Sequence, residues 1–231
     1  NIRSLFQDTP LQVCCESLPP FLFVITIPRV ESNYVLLHCI LSHELGHGLY
    51  SRYQLEGKIL QKIKVDQDAV KRIVSEAASS AIEDGKTGIP PLIEVAMREL
   101  VTRHIVNTTT RWAHELCSDA FGLLLFGPSF YFAFIHFTLG FLPLDRASSS
   151  HPPPRIRLRL MSRMLNDLYP NAIFNSTIQN FISFWASLSA QSVLYRDKLI
   201  QIAGDAIATD DVLNCIAQEV ISCLMDSETY S

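Results

Sequence analysis

His43, Glu44 and His47 stand together in the stretch HELGH, residues 43–47. On an α-helix, side chains four positions apart lie one turn apart on one face, so both imidazoles can reach a single ion. Glu44 is rotated by about 100° from His43. It is badly placed to ligate the same ion but well placed to sit beside it and take a proton from water. Gly46 and Gly48 each cost roughly 1 kcal/mol in a helix relative to alanine. Their presence points to a place where another backbone or a substrate comes close. The competing reading is a chance match on an ordinary amphipathic helix, in a protein that serves only as an interaction module.

A catalytic zinc ion takes three protein ligands and keeps one position open, so another segment must supply the third. The stretch RWAHELCSDAFG, residues 111–122, offers His114, Glu115 and Asp119. Glu115 and Asp119 share a helix face, and His114 points about 100° away from Glu115. Asp119 suits an outer position, where it accepts a hydrogen bond from a ligand imidazole or holds an arginine. Further on, His151 precedes three prolines in a loop of restricted backbone freedom, and Arg155 begins a helix.

The elements that must position these residues are mostly helical in pattern. Phe21 to Arg29, rich in β-branched and aromatic residues, reads as a strand. Val35, Leu36, Cys39, Ile40 and Leu45 recur at helical spacing through the HELGH stretch, with Ser32 or Asn33 as its cap. Residues 54–83 alternate charge and apolar residues at helical period. Residues 83–91 read as a loop, and a helix is expected from about Leu92 through Gly122. Gly127-Pro128 breaks the next apolar stretch. Residues 144–154 form a loop, and several helices follow, the first opening with the basic run Arg155 to Arg163, read as a surface helix. The expected class is mainly α with a small β-sheet.

Composition narrows the function classes. The 231 residues are 48% hydrophobic and 18% charged, enough for a sizeable core. The formal charge of −4 leaves no basic footprint for nucleic acid. Six irregularly spaced cysteines form no C-x-x-C pattern, and no secretory signal opens the sequence, so a reducing, cytoplasmic setting is expected. The first residue, Asn1, suggests flanking segments beyond this sequence. Residues 120–144 lack Asp, Glu, Lys and Arg and are long enough to span a bilayer. They contain Gly127-Pro128 and overlap the ligand-bearing helix, so buried core helices are favoured over membrane association. Nothing in the sequence speaks to oligomeric state.

HELGH, then Glu115 to Asp119 as E-x-x-x-D, then His151 to Arg155 as H-P-x-x-R resembles the zinc metallopeptidases that include the CAAX prenyl endopeptidases and the HtpX-type heat-shock proteases. The resemblance covers residues 21–160. It implies a zincin-like fold with one Zn²⁺ per chain on His43, His47 and Glu115. It also implies Glu44 as general base, His151 near the transition state, and Asp119 and Arg155 behind the ligands. The implied substrate is a protein or peptide. Residues 1–160 then form the peptidase core, with an unmatched helical insertion at about 54–91, and residues 161–231 form a helical region packed on the same domain. Ser118 departs from the alanine usual before the family's Asp. The alternative is a zinc-binding but latent or inactive domain that serves as a sensing or protein-interaction module.

Overall fold

The computed structural model describes residues 35–83, 90–141, 144–169, 176–189, 195 and 197–225. It is 84% helical, and the described residues contain no strand. The expected strand at Phe21 to Arg29 lies outside them, as do the expected caps Ser32 and Asn33 and most of the loop 83–91. The described helices are α1 (Val35–Arg52), α2 (Leu55–Leu60), α3 (Gln67–Glu83), α4 (Pro91–Phe126), α5 (Pro128–Phe141), α6 (Pro154–Leu168), α7 (Ser176–Ser189), α8 (Lys198–Ile207) and α9 (Asp210–Met225).

Local chemistry sets the boundaries. The single helical pattern at 54–83 is two helices, because Asp66 turns its carboxylate on the backbone N–H groups of Asp68 and Ala69 (2.9 and 3.0 Å) and caps α3. Asp197 caps α8 in the same way through Leu199 and Ile200. Proline at the first position starts α4 and α6, where its missing N–H costs nothing. At Gly127 the backbone takes φ 56°, which a glycine adopts without strain, and Pro128 restarts the chain as α5. The uncharged run 120–144 is therefore split, and no helix among the described residues is long and apolar enough to cross a membrane.

The 36-residue α4 is the axis of the molecule, about 54 Å long at 1.5 Å per residue. Its second half is buried at Trp112, Leu116, Phe121 and Leu123, while Leu92 and Leu100 in its first half are exposed. It packs most extensively on α1 and also on α8, α9, α3, α6 and α5. α6 is a core helix, contrary to the surface helix expected from its basic run. Ile156, Leu158, Leu160, Met161 and Met164 are buried, and its arginines find partners among the neighbouring elements. The described helices after residue 161 therefore share one core with the helices that carry the motif.

Candidate metal centre

α1 and α4 meet almost backbone to backbone. A Cβ on Gly46 would lie 2.6 Å from the Cα of Ser118 and 2.8 Å from its carbonyl oxygen. The first glycine of the motif is thus required by the neighbouring helix. The contact falls between His43 and His47 on one helix and between Glu115 and Asp119 on the other, and the close approach brings those side chains within reach of one another.

His43 Nε2 lies 3.4 Å from Glu115 Oε2, and His47 Nε2 lies 3.6 Å from Glu115 Oε1. Ligands 2.0–2.1 Å from a tetrahedral zinc ion stand about 3.3 Å apart. Two neutral imidazole nitrogens and a carboxylate at this spacing are a donor set suited to zinc. Glu44 also approaches, with one ligand atom each of His43, Glu44 and His47 lying within 4.8 Å of one another. Glu44 is exposed, however, whereas Glu115 is buried between the imidazoles. Glu115 is the better ligand by position, and Glu44 the better partner for water.

Both imidazoles are held from behind. Asp119, fully buried, accepts a hydrogen bond from His43 Nδ1 at 2.9 Å. An ionised carboxylate can only accept, so the hydrogen sits on Nδ1 and Nε2 faces Glu115. His47 Nδ1 lies 2.9 Å from the hydroxyl of Ser118. Arg157 grips Asp119 with two hydrogen bonds of 2.6 Å, stacks on the Phe134 ring at 4.6 Å and reaches to 4.0 Å from Glu115 Oε2.

This arginine corrects the expectation for Arg155. Arg155 instead binds both oxygens of Asp145 (2.6 and 3.1 Å) and the carbonyl of Leu188. Two residues apart on a helix means a rotation of about 200°, so Arg155 and Arg157 face opposite ways, and Arg157 is the one turned to α4. The sequence reading missed both Arg157 and Ser118. The spacing of Arg155 and Arg157 on one helix was the available signal for the first, and the i−1 position beside Asp119 for the second.

His114 points elsewhere. Its Nε2 donates to the backbone carbonyl of His47 at 3.2 Å, and its ring stacks on Tyr50 at 4.3 Å. His151 stands at the rim, with a side chain 61% exposed and Nε2 3.8 Å from Glu115 Oε1. Its loop is braced by Trp112 Nε1, which donates to the Ser148 carbonyl at 2.9 Å, and by the Ser148 hydroxyl, which accepts from the His151 N–H at 3.0 Å.

Without a metal, the close spacing pushes these groups in opposite directions. Burial alone would lower the pKa of His43, but its hydrogen bonds to Asp119 and Glu115 prevail and raise it to about 9. His47 is lowered, first by burial and then by the charge of His43. Burial would raise Asp119, but the Arg157 charge and its hydrogen bonds bring it down to about 2. Glu115 is likewise held below its usual range, against burial, by His43 and Arg157.

The centre opens into a cleft of about 490 Å³ lined by Ile40, Glu44, Phe130, Phe134, Phe137 and Arg146. A second cavity of about 450 Å³ lies between α3 and α8, where Lys62, Arg72 and Lys198 mix with Glu76 and Asp205, and no histidine or cysteine lines it. Set against family models, curated proteins and solved structures, the chain matches none.

Proposed function

We propose that the chain is a zinc-dependent endopeptidase of zincin-like design. The observation that carries this reading is the convergence of His43 Nε2, His47 Nε2 and the Glu115 carboxylate, with Glu44 exposed beside them at the floor of an open cleft. The ordered trio of HELGH, E-x-x-x-D and His-Pro supports it.

His43, His47 and Glu115 would hold the zinc ion, which would supply Lewis acidity to activate a water and polarise a carbonyl. Glu44 takes the proton from the attacking water and returns it to the leaving amine. His151, exposed at the rim, donates to the oxygen on which negative charge develops. Asp119 and Arg157 keep His43 in the one orientation that offers Nε2 inward. Ile40, Phe130 and Phe134 give the cleft an apolar wall against which a substrate side chain packs.

The test is hydrolysis of an unfolded protein such as casein by the zinc-loaded wild type and by Glu44→Gln. Wild type cleaves, and the variant keeps its zinc but loses at least the ~10²–10⁴-fold typical of a general base. Undiminished cleavage by Glu44→Gln overturns the mechanism. Zinc bound without any turnover by wild type favours the latent or sensing alternative.

A further inference from the structure

Ser118 is fully buried, and its hydroxyl makes two contacts: 3.0 Å to the carbonyl oxygen of His114, one turn back on α4, and 2.9 Å to His47 Nδ1 on α1. A hydroxyl has one hydrogen to give and two lone pairs to receive with. The His114 carbonyl can only accept, so the Ser118 hydrogen goes there. What Ser118 then presents to His47 is a lone pair, and His47 Nδ1 must carry the hydrogen that meets it. The other ring nitrogen, Nε2, is left with its lone pair toward Glu115.

We infer that Ser118 is a positioning residue that fixes the tautomer and ring orientation of His47, as Asp119 does for His43. This inference rests on the metal-centre reading above and adds to it. Adjacent positions on one helix thus serve the two histidines of another, Asp119 with a charged acceptor and Ser118 with a neutral one. The difference is consistent with their surroundings. Arg157 neutralises Asp119 on the buried side, and no cation stands behind Ser118 in the contacts its hydroxyl makes. The close approach of Gly46 to the Ser118 backbone sets the hydroxyl beside His47. An alanine at 118 keeps the helix and the contact but gives His47 Nδ1 no acceptor.

Two measurements on wild type and Ser118→Ala test this. The first is the His47 tautomer in the metal-free protein at pH 8, read from long-range ¹H–¹⁵N correlations of the imidazole. The expected result is a hydrogen on Nδ1 in wild type and a shift toward Nε2 in the variant. The second is the zinc dissociation constant by chelator competition, expected to rise by about 10–100-fold in Ser118→Ala. Thermal unfolding of the metal-free variant, expected to match wild type closely, shows that the fold is retained. An Nε2–H tautomer in wild type overturns the inference, as does an unchanged tautomer together with unchanged zinc affinity in the variant. If wild type takes up no zinc yet shows the Nδ1 hydrogen lost in Ser118→Ala, the positioning role stands and the metal-centre reading fails.

Discussion

At the residue scale, two arginines two positions apart divide the work of α6. Arg157 is the only arginine or lysine in contact with the Asp119 carboxylate among the described residues, and Asp119 is fully buried. Removing one partner of a buried pair costs about 3–5 kcal/mol, because the other charge is left without compensation. Arg157→Ala is therefore expected to lose roughly that much stability in urea unfolding and to weaken zinc binding through His43. Arg155→Ala loosens Asp145 and the loop that carries His151, so it slows turnover while leaving zinc affinity near wild type. Equal loss of zinc affinity in both variants would contradict this division. His43, Glu44 and His47 were legible in the sequence because helical spacing alone places them. Glu115 was not, since nothing local separates it from His114 and Asp119, and only the family resemblance pointed to it. Arg157 was not legible because the H-P-x-x-R resemblance points to Arg155, whereas Pro154 already begins the helix and sets which arginine turns inward.

At the element scale, the centre depends on how closely α1 and α4 approach. Gly46→Ala gains about 1 kcal/mol of helix propensity. Its Cβ, however, would sit 2.6 Å from a backbone atom of Ser118 that cannot swing aside. Overpacking of this kind costs about 1–3 kcal/mol or more, so the net effect is destabilising, with zinc affinity falling because the ligands come from both helices. Calorimetric melting with zinc titration checks both, and a more stable Gly46→Ala with unchanged affinity would contradict the close approach. The same pair of helices predicts a pH dependence. In the metal-free protein His43 is raised from 6.5 to about 9, so the stability it contributes is fully present below pH 6.5 and is lost as the pH rises through 9. Asp119, lowered from 3.8 to about 2, contributes above pH 3.8 and loses its share as the pH falls toward 2. Zinc replaces the proton on His43, so the zinc-loaded protein should show no loss between pH 6.5 and 9. Unfolding curves of both forms across that range test the difference. Helix positions were readable wherever apolar spacing, prolines and Gly127 mark them. The pairing of α1 with α4, some seventy residues apart in sequence, was not, because no local pattern encodes which two helices touch.

At the scale of the whole molecule, α4 joins the chemistry to the core. About one turn of it carries Glu115, Ser118 and Asp119, and the neighbouring positions Trp112, Leu116 and Phe121 are buried against the rest of the protein. α8 and α9, late in the sequence, pack on this same helix, so the C-terminal residues support the centre without lining it. On the proposed reading, zinc held by His43, His47 and Glu115 would clamp α1 to α4 and stabilise the native state by mass action, about 4 kcal/mol at a free concentration 1,000 times the dissociation constant. Chelation should lower the melting temperature accordingly. The central claim is that two helices supply three ligands, with Glu115 as ligand and Glu44 as base. Zinc stoichiometry by elemental analysis of wild type, Glu44→Gln and Glu115→Ala tests it most directly. The account predicts about one zinc per chain in wild type and in Glu44→Gln, as expected for a single site, and little in Glu115→Ala. Absence of zinc from wild type, or zinc kept by Glu115→Ala and lost by Glu44→Gln, would contradict it.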